Sequence, residues 1–206
     1  MLKRTKGYTL LLLLVLTGLA GRLFTTTITS QERRFLIDHL KESKNIFTKS
    51  VKGLSEKQLN FKASPDKWSI KDCMKHITLA ESNLWNLAEA TLKQPANPEK
   101  RAEIKVTDAG FVKMIMNRSQ KQQAPEGFRP EQANWKTTSE ILDAFKEKRG
   151  NLIKYTKTST DDMRNHMAQL PFGYIDSYQL MLMISAHTRR HTMQIEEVKA
   201  DPAFPK

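Results

Sequence analysis

The sequence predicts an all-α bundle of four long helices with at least one long connection. Three observations predict it. Capping patterns open long runs in which apolar residues recur at helical spacing. No stretch of convincing length alternates apolar and polar residues as a half-buried strand would. Prolines fall in the gaps between the runs, where they stop a helix.

The first helix is announced by Thr29-Ser30-Gln31-Glu32, a capping box with Thr29 as N-cap and Glu32 at the third helical position. Leu36, Leu40, Phe47 and Val51 follow on one face, and Gly53 then suits a left-handed C-terminal cap. Leu54 to Leu59 is long enough for one turn, and Pro65-Asp66 breaks the chain. Ser69 caps the second helix and puts Asp72 in the first turn, where the helix dipole favours a negative charge. Its stripe runs Cys73, Ile77, Ala80, Leu84 and Leu87, and it ends near Leu92 ahead of Pro95 and Pro98.

Residues 94–136 are polar and interrupted by Pro125, Gly127 and Pro130, with a short helix expected around Asp108 to Asn117. Thr137 and Glu140 form another capping box, opening a third long helix with Ile141, Leu142, Phe145, Leu152 and Tyr155 facing inward. Pro171-Phe172-Gly173 breaks again, and Asp176 caps a last helix that runs to about Ala200. The chain shows no internal repeat.

Composition narrows the function classes. With 206 residues, 39% of them hydrophobic, and a mean hydropathy of -0.56, the chain is one domain plus a short extension and no multi-pass membrane protein. A single cysteine, Cys73, excludes an intrachain disulfide and a Cys-rich zinc finger, so any metal must be held by imidazole and carboxylate. The net charge of +12 invites a nucleic-acid reading. The cations, however, are interspersed with acids, as in Glu42-Ser43-Lys44 and Glu196-Glu197-Val198-Lys199, and no basic block is interleaved with aromatics. Nucleic acid is not an expected partner.

Residues 1–22 read as an address. Lys3, Arg4 and Lys6 precede an uncharged apolar run from Thr9 to Ala20 with Gly18 and Ala20 at its exit, the pattern of a secretory signal peptide. The run is short for a membrane span, which takes about 20 helical residues. Cleavage near Ala20 is the first expectation and a retained N-terminal anchor the alternative. Either places the helical domain, residues 23–206, outside the cytoplasm, periplasmic or secreted, with membrane contact only through this segment.

The informative anomaly is histidine on buried faces. The last helix carries a stripe of Leu180, Met183, Ile184, His187, His191, Ile195 and Val198. His187 and His191 stand four apart and so point the same way. His76 interrupts the second helix in the same manner, between Cys73 and Ala80. An unpartnered buried imidazole costs about 1–3 kcal/mol, so three of them call for a shared partner. One divalent cation serves all three: an i, i+4 pair chelates, and a ligand from the facing helix completes the set. Imidazole ligands suit Zn, Ni, Cu or Fe(II), and three protein ligands leave an open position, as in catalytic sites. His39 and His166 lack such spacing.

At these residues the sequence resembles a known family. The stretch Trp68-Ser69-Ile70-Lys71-Asp72-Cys73-Met74-Lys75-His76-Ile77 is similar to the second-helix motif of the DinB superfamily, and His187-Thr188-Arg189-Arg190-His191-Thr192-Met193-Gln194-Ile195 to its last-helix motif. The likeness covers about residues 30–200. It implies a four-helix up-down-down-up bundle, with the long connection between the second and third long helices. It also implies a divalent metal, zinc or nickel, on His76, His187 and His191. Family activities are metal-dependent hydrolysis and S-transfer with low-molecular-weight thiols, and homodimers are common. The exported leader departs from the usual cytoplasmic members.

For chemistry on a small-molecule substrate, a general base is the missing part. Weak candidates near the three histidines are Glu81 at a pocket rim, with Arg190 and Gln194 to orient substrate; Asp72 is placed to accept from an imidazole N–H. The 94–136 connection is positioned to supply a cover. Two classes of function follow: a metal-dependent hydrolase or thiol transferase of the cell envelope, or a non-catalytic metal-binding or scaffolding bundle.

Overall fold

Each long helix begins where a side-chain oxygen caps its first turn. In the computed structural model, which describes residues 27–119 and 123–206, the Thr29 hydroxyl accepts from the Glu32 amide and opens α1, Ser30–Ser50. Ser69 and Asp72 cap each other reciprocally to open α3, Ile70–Leu92, and Thr137 and Glu140 do the same for α5, Thr138–Thr158. The Asp176 carboxylate accepts from the Gln179 amide at 2.8 Å and opens α6, Ser177–Lys199. Among the described residues, two short α-helices, α2, Glu56–Leu59, and α4, Asp108–Met116, and two 3-10 helices, Pro98–Glu103 and Pro130–Gln132, complete the helical part. The leader, residues 1–22, lies outside the described residues.

The four long helices match the capping patterns, and α4 falls where the short helix was expected. Gly53 does take a left-handed φ of +76°, but α1 has already ended at Ser50, so the glycine completes the turn beyond the cap. The expectation of no strand needs correction. Met167–Leu170 (β1) and Gly173–Asp176 (β2) pair antiparallel, with Met167 opposite Asp176 and Leu170 opposite Gly173. Pro171-Phe172 is its turn, and Gly173 at φ +121° supplies the conformation that an L side chain resists. Strands of four residues are too short to show a period.

Around the bundle, α6 packs against α1, α3 and α4, and α5 packs against α1 and α3. Two buried apolar clusters fill the interior. One gathers Leu36, Leu40, Leu84, Phe111, Leu152 and Ile184; the other gathers Phe47, Cys73, Ile77, Ile141, Phe145 and Ile195. In the second, the rings of Phe47 and Phe145 meet edge-on at 4.6 Å.

Polar residues lie between the clusters along every long helix: Ser43 on α1, Glu81 on α3, Arg149 on α5 and Thr188 on α6, all buried. At the end of the bundle where α1 begins, Arg164 forms a clasp. It bonds Glu32 of α1, Asp108 of α4 and Asp176 at the cap of α6, at 2.6, 2.6 and 2.8 Å, and lies 3.9 Å from the Tyr178 ring centroid. Among the described residues, no helix is long and apolar enough to cross a membrane.

Candidate metal centre

His76 projects from the second turn of α3, and His187 and His191 from the middle of α6, the helix α3 packs against. The three rings converge. Nε2 of His76 stands 3.1 Å from Nε2 of His187 and 3.0 Å from Nε2 of His191, and one ligand atom from each ring fits within a 4.8 Å span. His76 and His191 are buried, and His187 is the most accessible of the three.

The outward-facing nitrogens decide what this cluster can hold. His76 Nδ1 lies 2.6 Å from the Phe128 carbonyl oxygen, and His191 Nδ1 lies 2.9 Å from Gln194 Oε1. Arg118 Nη1 donates to the same Gln194 oxygen at 3.3 Å, which fixes the orientation of that amide. Carbonyl oxygens only accept, so both rings carry their proton on Nδ1 and turn an Nε2 lone pair inward. Two lone pairs 3.0 Å apart with no proton between them repel, and a cation between them converts the repulsion into binding. The spacing fits: bonds of about 2.0–2.1 Å at tetrahedral angles put ligand nitrogens about 3.3 Å apart.

Electrostatics favours the same state. Burial, then the neighbouring His191 and His76, holds His187 well below the ordinary imidazole range. Burial, then His76, does the same for His191, and burial lowers His76. Neutral rings are the form that binds metal.

Aromatic rings wall the cluster. The Trp68 ring lies 4.8 Å from that of His76 and 6.0 Å from that of His191, and Phe128 approaches His76 to 6.5 Å. Trp68 is thus a wall, whereas Trp85 packs on Tyr155 at 4.7 Å in the apolar core. Phe128 belongs to the long connection, held down where Asn83 Nδ2 donates to the Gly127 carbonyl at 2.7 Å. That connection therefore supplies both a wall and a hydrogen-bond acceptor to His76.

Four of the remaining sequence candidates, Glu81, Asp72, Arg190 and Gln194, are placed differently from expectation, whereas Cys73, His39 and His166 stay outside the cluster as expected. Glu81 is not at a rim; its carboxylate is buried and bound by the Arg149 guanidinium and the Thr188 hydroxyl. Asp72 accepts nothing from an imidazole, being committed to the Ser69 amide at 3.0 Å and Lys62 at 2.9 Å. Arg190 reaches the carbonyls of Ile115 and Asn117, tying α4 to α6. Gln194 serves His191 rather than a free surface. Cys73 packs in the apolar cluster with its thiol pushed up by burial, and is not one of the three converging groups. His39 stacks on Phe35 and His166 lies 3.3 Å from the Thr91 carbonyl, so neither joins them.

Sequence reasoning missed Arg149, Arg118 and the Phe128 carbonyl. Arg149 carried a readable signal, because it stands on the apolar stripe between Phe145 and Leu152. A backbone carbonyl carries none.

A predominantly helical protein in which three imidazoles from two helices converge carries a cluster able to hold a metal ion. This chain belongs to the DinB superfamily, whose family model matches residues 39–195. It is also similar to a Bacillus subtilis (strain 168) protein named "Uncharacterized protein YuaE", with 26% identity over 151 residues, 72% of this chain and 88% of the other. No solved structure matches.

Proposed function

We propose that this protein is an exported DinB-like metalloprotein in which His76, His187 and His191 hold one divalent cation, zinc or nickel, with a position left for a small-molecule substrate. The up-down-down-up order of its long helices belongs to this reading. The observation that carries it is the inward convergence of Nε2 lone pairs whose rings are fixed from behind by Phe128 and Gln194. The leader supports export.

The reaction class is metal-dependent hydrolysis or thiol S-transfer. A divalent cation supplies Lewis acidity there, activating a water or a thiol at neutral pH. The chain's residues do the rest: Gln194 and the Phe128 carbonyl hold the ring tautomers, and Trp68 and Phe128 wall the site with apolar surface. Elemental analysis of untagged protein should find about one divalent metal per chain. Ester, amide and thiol-adduct substrates should then reveal turnover that a chelator abolishes. Protein without metal overturns the whole reading.

One observation favours a non-catalytic metal-binding bundle. Glu81, the candidate base, is saturated by Arg149. Stoichiometric metal with no turnover on any of those substrates selects that reading.

A further inference from the structure

We propose that Arg149, acting through Glu81 and Thr188, is a positioning residue that sets the register of α3 against α6 and so the mutual geometry of the three histidines. The proposal rests on the metal reading for its function, though not for its geometry.

Arg149 has no exposed surface, and its donors are fully used. Nε donates to Glu81 Oε2 at 3.0 Å; Nη1 donates to the Leu40 carbonyl at 2.8 Å and to the Ser43 hydroxyl; Nη2 donates to Glu81 Oε1 and to the Thr188 hydroxyl at 2.8 Å. One guanidinium on α5 thus addresses the other three long helices. The Thr188 hydroxyl stands 3.1 Å from both Glu81 Oε1 on α3 and the Ile184 carbonyl on its own helix, and its one proton serves either acceptor. Its partners are placed tellingly. Thr188 directly follows His187, and Glu81 is five residues beyond His76 on the same helix.

Stability alone does not account for this node. A buried ion pair gives up so much hydration that apolar residues of similar size often stabilise a protein as well or better. Directional bonding adds specificity of register. Apolar contact is non-directional and tolerates sliding, whereas the five donors of Arg149 are satisfied together in one alignment. A one-residue slip moves a helix by about 1.5 Å along its axis. That would break the Thr188–Glu81 contact and carry His76 out of the 3.0–3.1 Å approach to its partners.

The test uses the full chain and Co2+ as a spectroscopic metal. Thr188→Val removes the hydroxyl at nearly constant shape, and Thr188→Ser retains it. Thr188→Val should weaken Co2+ binding about tenfold or more, the usual cost of losing a residue that orients ligands, and shift the visible absorption. Thr188→Ser should keep both. Replacing the ion pair with apolar residues, R149M with E81L, should disturb affinity and spectrum while the thermal midpoint holds or rises. Wild-type affinity and spectrum in both Thr188→Val and the double variant would overturn the proposal, whatever their midpoints. If the double variant does not fold, the Val/Ser pair decides alone. If the wild type itself binds no Co2+, the metal reading fails, and nuclear Overhauser contacts between the His76 and His191 rings in metal-free protein report the register. Their loss in Thr188→Val but not in Thr188→Ser supports the proposal, and their persistence in both defeats it.

Discussion

The Arg149 node and the histidine cluster are both buried, both polar, and both built across α3 and α6, yet they close differently. Around Arg149 every guanidinium donor finds an acceptor within the protein, and the Glu81 charge is matched. In His76 and His191 the outer nitrogens are satisfied, and their inner nitrogens face one another with lone pairs. Buried polar groups that complete one another form a structural joint. Groups that need something added form a receptor. The contrast separates the two far better than burial or hydropathy does, because those are alike in both.

Breaking the joint should give the largest effect. Arg149→Ala leaves the Glu81 carboxylate buried without its cation, and urea unfolding should show a loss of about 3–5 kcal/mol. Breaking the receptor should act on metal rather than on folding. His76→Ala, His187→Ala and His191→Ala should each lower metal affinity by more than about 100-fold, beyond the cost of a supporting residue. His39→Ala and His166→Ala should leave it intact in the same chelator competition. Equal retention across all five variants would erase the distinction between joint and receptor.

The metal-free receptor should also betray itself through pH. His187 and His191 are held low by burial in the folded state, so the unfolded chain takes up protons that the native rings refuse. Stability is therefore intact above the ordinary imidazole pKa of about 6.5 and declines as pH falls below it, by up to about 1.4 kcal/mol per pH unit for each ring. Urea midpoints measured either side of that pH should show the decline, and saturating metal should raise them all while leaving the decline as steep, because metal-bound rings also take up no protons. The smallest effect belongs to the support behind the receptor. Gln194→Ala removes the acceptor for His191 Nδ1 and should cost about tenfold in metal affinity with little change in unfolding.

Much of the architecture was legible because helix starts are local events. Thr29 with Glu32, Ser69 with Asp72 and Thr137 with Glu140 each announce a first turn within four residues, and each cap forms as read. The histidines were legible for a related reason, since imidazoles on an apolar stripe break a pattern. The same logic, applied to charge, would have found Arg149 between Phe145 and Leu152, and would have placed Glu81, between Ile77 and Leu84, inside rather than at a rim. A charged residue on a helix is usually solvated, and that prior hid the first and misplaced the second. The hairpin at Met167–Asp176 was illegible for want of length, and the acceptor behind His76 because a main-chain carbonyl is common to every residue.

Arg164 secures Glu32 almost as soon as α1 begins, and Ile28 just ahead of it is already buried. The folded body is fastened shut at its own threshold. Cleavage near Ala20, the fate proposed for the leader, would fall upstream of every one of these contacts.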